Sequence, residues 1–477
     1  MKKYSKYLLL GVLLTSCSEF LTLQPEYQIN EIAFYKNAKD VETALTGTYA
    51  GLQGLHDAAI VYLGDLTTDN TEIRWTSPTV AETEFDEVNP TPANGFLNTI
   101  WTSCFSTISR SNNILSRLDA ISMTDAQKRQ FRGEALFLRA YSYFYLVRIF
   151  GNVPIVEVAF RSPDEIMEFD MTRRPVTEVY SLIINDLNES ASLLNGLSLP
   201  GKSHASVGAA RSLLGKVYLT TKQFEPAQNV LKQVIDQNAY TLNPDYKRLF
   251  VNGNNELEES IFEIKYLSGN VGEGNSFSSI FTPARFDMAI FPGNMQGSGR
   301  VLPTRQMANA YEPGDRRRNA SIGDSVRLVS GRFEQELHGL KFVDFTTGIV
   351  GDGGINFTAL RYADVLLMYA EALNETGNTT QALPFINQVR ERAGLAPLAG
   401  LSKAQLTLAI EQERKVEFFL EGHRWFDLLR TGRLQVVLND YFRQNGLAFT
   451  VADHELLMPI PLREIDINPN LGQNPGY

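Results

Sequence analysis

The sequence predicts a mainly α fold, a tetratricopeptide-like scaffold of helical hairpins interrupted by long irregular insertions. Three observations carry this expectation. Leu214-Gly215-x-x-Tyr218, followed by Phe224, Ala227 and Leu231, places small residues where two helices close on one another and large ones along the seam. The spacing from Gly215 to Ala227 returns at Ala370 and Ala382, with Leu373 in the tyrosine's place. Two long stretches, 60–96 and 241–357, lack helical period altogether.

Taken in chain order, the first element is MKKYSKYLLLGVLLTSCSEF. Three lysines precede the apolar run Tyr7 to Leu14, the pattern of a secretory signal that is too short to span a bilayer. Leu14-Thr15-Ser16-Cys17 then resembles the lipobox of bacterial lipoproteins, in which cleavage leaves an acylated cysteine; an ordinary signal peptide with an incidental cysteine is the alternative. Residues 1–16 are therefore expected to be removed and Cys17 to carry lipid, leaving one unit from 17 to 477. Cys104, on the apolar stripe of Trp101, Phe105 and Ile108, reads as a buried inert thiol.

The net charge of −10 becomes more negative once the signal's lysines are gone, so nucleic acid and anionic headgroups are poor partners. No later apolar run reaches the roughly 18 residues of a membrane span. Contact with a membrane is expected through the lipid alone.

Helical scaffold is expected over about 34–55, 97–150, 174–240 and 358–432, with EALFLRAYSYFYLVRIFG supplying Ala140 and Tyr143 as the first helix of a further repeat. Between two of these helices lies GLSLPGKS, residues 196–203, which satisfies the phosphate-loop pattern G-x-x-x-x-G-K-[ST]. A phosphate loop must follow a buried strand. This one follows Val179, Ile183, Leu187 and Leu194 at helical spacing, so it reads as a polar interhelical turn. The insertions 60–96 and 241–357 are too long for idle connections, and their aromatics argue against disorder.

These landmarks together resemble the SusD/RagB outer-membrane lipoproteins of glycan-uptake systems. The resemblance rests on the lipobox at Cys17, RAYSYFYLVRIFGNVPIV (139–156), SVGAARSLLGKVYL (206–219), RYADVLLMYAEALNETG (361–377), ERKVEFFLEGHRWFDLLRTG (413–432) and the terminal MPIPLREIDINPNLGQNPGY. It implies a SusD-like fold without catalytic chemistry or cofactor. The implied protein sits on the outer face of the outer membrane, binds an oligosaccharide or polysaccharide, and delivers it to a SusC-like TonB-dependent transporter. The helices would contact the transporter and the insertions the ligand. Uptake of peptide or glycoprotein on the same fold, an extracytoplasmic glycoside hydrolase, and a scaffold without a ligand of its own remain alternatives.

A sugar offers an apolar C–H face to aromatic rings and hydroxyls to polar side chains. Trp75 sits without apolar period in TTDNTEIRWTSP, beside Asp69, Asn70 and Arg74, and is a candidate ring platform. Trp101 and Trp425 read as core. The second insertion offers Phe281, Arg285, Phe286, Phe291 and Asn294, irregularly spaced among Gly and Pro. The five histidines lack metal-binding spacing, so no metal is expected. Acidic pairs such as Glu411 and Glu413, or Glu417 and Glu421, read as solvated or salt-bridged helix faces. No nucleophile or dinucleotide motif is present, and no enzyme activity is expected.

Overall fold

A computed structural model describes residues 34–75, 77–293 and 295–477. The signal segment and Cys17 lie outside these residues. The first scaffold helix, α1 (Ala38–His56), starts where Asn37 and Asp40 form a reciprocal capping box. It is followed by the short α2 (Val80–Asp86), then α3 (Gly95–Arg117), which Asn94 caps. α4 (Asp125–Phe150) begins at a Thr124/Gln127 capping box and stops at Gly151, whose φ of 72° only glycine adopts without strain. α5 (Val176–Leu194) packs on α4, and Gly133 makes the approach possible, since a Cβ there would lie 2.7 Å from Leu194 Cγ.

Two hairpins then repeat one plan. α6 (Val207–Thr220) pairs with α7 (Phe224–Asp236), and α8 (Tyr362–Glu375) with α9 (Thr379–Arg392). At the first crossing a Cβ on Gly215 would lie 2.4 Å from Leu231 Cδ2, and Ala227, Ala370 and Ala382 are all fully buried. Each three-residue turn contains one left-handed residue, Lys222 (φ 59°) and Gly377 (φ 85°). α7 packs on α8, and α8 on α10 (Lys403–Glu417), so the helices form a continuous stack. α11 (Arg424–Arg430) and α12 (Leu434–Gln444) follow.

The stretches without helical period are more ordered than the sequence implies. Besides α2, the first holds a π-helical turn, Tyr62–Leu66. Among the described residues six short strands form antiparallel pairs: β1 (Thr71–Glu72), β2 (Ser260–Ile264), β3 (Leu302–Pro303), β4 (Ile322–Arg327), β5 (Phe333–Gly339) and β6 (Phe357–Arg361), joined as β1–β3, β2–β6 and β4–β5. The β1–β3 ribbon ties one insertion to the other.

GLSLPGKS does connect two helices, α5 and α6. The Glu256 carboxylate sits 2.5 Å from where a Gly201 Cβ would be, and the Lys202 ammonium lies 4.5 Å from the Tyr240 ring centre. A carboxylate in the cradle repels phosphate. The acidic helix face of α10 is buried rather than solvated: Glu417, fully buried, accepts from Arg317 (2.8 Å), Arg361 (2.6 Å) and Arg392, while Glu421 pairs with Lys341 and Arg361.

Candidate functional site

The first insertion is anchored at its base. Gly64 lies against the backbone of Gly422, where a Cβ would come within 2.4 Å, and the Asp65 carboxylate accepts from the N–H groups of Leu420 and Gly422 at 3.3 and 2.8 Å. That contact carries Asp69 onto α10 and α11. Asp69 is buried and accepts from Lys415 Nζ (2.5 Å) and Arg424 Nε (2.9 Å). Burial alone would raise its pKa, but the Arg424 and Lys415 charges hold the carboxyl well below the usual carboxylate range. Asn70 is equally buried, and its backbone carbonyl accepts from Thr304 N–H at 3.0 Å. The expectation that these two are polar companions of a ligand ring is corrected: Asp69 is a clamp between insertion and helices, and Asn70 a link to β3.

Arg74 and Trp75 occupy the seam between the insertions. Arg74 N–H donates to the Gly299 carbonyl (2.9 Å), while its guanidinium donates to the carbonyls of Pro303 (2.8 Å) and Leu337 (3.1 Å) and pairs with Glu72 (2.5 Å). Trp75 is half-buried, with its amide beside Gly299.

In the second insertion Phe281 is fully buried, stacked on Phe277 with ring centres 5.6 Å apart, and its carbonyl accepts from Gly339 N–H at 2.8 Å. It packs the insertion onto the scaffold, a correction to its candidacy as a ligand contact. Phe291 is also buried, stacked on Phe345 at 5.9 Å, and of that pair it is Phe345, 42% exposed, that reaches solvent. Arg285 pairs with Asp287 (3.0 Å) and Glu334, holding its turn against the β4–β5 hairpin. Phe286, between them, is 84% exposed. Asn294 lies outside the described residues.

The structure therefore brings Arg74, Trp75, Arg285 and Phe286 to one region and withdraws Asp69, Asn70, Phe281 and Phe291. Sequence reasoning missed Phe333, 64% exposed at the start of β5, and Phe345. Phe333 begins FEQELHG, a polar strand whose leading aromatic has no core face to occupy, which was a readable signal. Phe345, in DFTTG, carried none. Also missed is a groove of about 850 Å³ between Asp69 and α10–α12, walled by Gln412, Lys415, Arg433 and Arg443, with Val436 and Leu447 exposed along it. Among the described residues no group of His, Cys, Asp or Glu is placed to hold a metal ion, and no helix is long and apolar enough to cross a membrane.

A helical stack bearing two joined, aromatic-rich insertions is the architecture of a known class of proteins. The SusD family model matches residues 330–477, and a second model, described as starch-binding associating with outer membrane, matches 19–219. SusD-like protein P2 of Formosa agariphila is 29% identical over the full length of both chains. The starch-binding protein SusD of Bacteroides thetaiotaomicron is 27% identical over 74% of each. Among solved structures, a laminarin-binding SusD-like protein superposes with a TM-score of 0.80 at 27% identity, over 93% of this chain and all of that one. The chain belongs to the SusD/RagB family.

Proposed function

We propose that this protein is lipid-anchored through Cys17 at the outer face of the outer membrane, binds oligosaccharide or polysaccharide, and passes it to a SusC-like TonB-dependent transporter. The observation that carries this reading is the seam between the two insertions, where Trp75 and Phe286 meet solvent beside fixed polar groups. Rings of this kind stack on the C–H face of a sugar. The carboxylates of Glu72, Asp287 and Glu334, each tied to Arg74 or Arg285, would accept its hydroxyls. Arg285 holds the carboxyls of Asp287 and Glu334 below their usual range, so neither is set to act as a general acid, which favours binding over hydrolysis. The named ligands of the relatives, starch and laminarin, support glucans as the first candidates.

Titration calorimetry of the mature chain against starch-derived and laminarin-derived oligosaccharides tests this. Binding to at least one is expected, weakened about tenfold or more by Trp75→Ala and by Phe286→Ala. Binding that neither substitution changes would place the site elsewhere. The groove beside Asp69 favours a second reading, a peptide cargo, because its exposed Val436 and Leu447 alternate with charged side chains. Peptide binding without glycan binding would select it.

A further inference from the structure

The sequence stretches that carry the family resemblance meet around a pocket in the helical stack. α4 supplies Arg148, α6 Lys216, α10 Arg414 and α11 Asp427 and Arg430, with His423 from the turn before α11. They surround about 30 Å³, room for one or two water-sized particles.

Charge there does not balance. Lys216 pairs with Asp364 (2.6 Å); Arg414 pairs with Asp364 (2.7 Å) and Asp427 (2.9 Å); Arg430 pairs with Asp427 (3.0 Å) and Glu371. Three carboxylates thus offset three cations. Glu421 also lines the pocket, but Lys341 and Arg361 hold it. Arg148 is the fourth cation, and among the described residues no carboxylate lies within ion-pair reach of it. Its guanidinium is sandwiched between the rings of Phe144 (3.8 Å) and Phe426 (4.0 Å), and Nε donates to the Phe144 carbonyl at 2.9 Å. With both faces covered by rings, its Nη hydrogens can only be used edge-on, in the guanidinium plane. Burial, then the charges of Arg414 and Arg148, pull the Lys216 pKa down, and burial with the Arg148 charge pushes His56 down to about 3. A surplus positive charge sits beside a small space.

We infer that this pocket binds one small monovalent anion of halide size, held by the Nη edge of Arg148 beside Lys216. Such an ion supplies the missing charge and relieves the repulsion between the two cations. Larger oxyanions exceed the room.

Crystals of the mature chain soaked in sodium bromide are expected to show an anomalous peak within hydrogen-bond distance of Arg148 Nη. In solution, replacing gluconate by chloride at constant ionic strength is expected to raise Tm by about 1–2 °C per tenfold chloride. Arg148→Met keeps the stem between the two rings and Lys216→Met removes the neighbouring charge; each is expected to flatten that dependence. Lys232→Gln, at an exposed pair with Asp236, serves as the control and should leave it intact. A purely structural Arg148 would instead lower Tm equally in both salts. No bromide in the pocket of the unsubstituted chain, or equal chloride dependence in the unsubstituted chain and Arg148→Met, would overturn the assignment.

Discussion

His56 is fully buried at the end of α1, with Nε2 2.7 Å from the Tyr141 hydroxyl, and burial together with the Arg148 charge pushes its pKa down to about 3. His423, stacked on Phe418 with ring centres 4.6 Å apart, is likewise pushed to about 3, first by burial and then by Lys216. Both stay neutral in the fold while the unfolded chain protonates near pH 6.5. Their stabilisation is complete above about pH 6.5 and is lost as pH falls toward 3, at up to about 1.4 kcal/mol per pH unit for each. Asp65 works the other way. Burial pushes it up to about 7, so its ionisation costs stability above that pH and the cost is relieved as pH falls. Denaturant midpoints measured from pH 7 to 4 should therefore fall less steeply in His56→Gln than in the parent, and equal slopes would show that His56 does not titrate as described.

The hairpin α6–α7 depends on one missing methyl group. Gly215→Ala places a Cβ 2.4 Å from Leu231 Cδ2, so the leucine side chain or the helices must shift, at an expected cost of about 1–3 kcal/mol in chemical denaturation. This requirement was legible because it is local: the small residue recurs at a set distance from its partner, and the pattern survives in sequence. α10 shows the opposite. Its Glu413 and Glu417, with Glu421 just beyond its end, read in sequence as a solvated or salt-bridged face, yet the arginine partners lie as far away as Arg317, 100 residues from Glu417. Glu417→Gln would leave Arg317, Arg361 and Arg392 with less charge than they need, and a loss of about 3–5 kcal/mol is expected from the same measurement. Nothing within the helix announces that burial, because the opposing cations come from β6, α9 and the second insertion.

Across the molecule, stability and recognition are expected to separate among aromatics of similar appearance. Phe281→Leu should lower stability by about 1 kcal/mol or more through lost packing against Phe277 while leaving glycan affinity unchanged; Phe286→Ala should do the reverse. Calorimetry and denaturation on both variants check this, and a loss of affinity in Phe281→Leu would mean that the seam depends on the packing beneath it. In sequence the two residues are indistinguishable, five positions apart in one Gly- and Pro-rich stretch. The same holds for Asp69 and Arg74: one is drawn into Lys415 and Arg424, the other rivets the seam, and the intervening NTEI does not say which. By itself the sequence determined the helical hairpins and the placing of the insertions between them, because helical period and close approach are written in neighbouring residues. Only the tertiary structure decided which insertion side chains meet water, because that depends on surfaces brought up from hundreds of residues away.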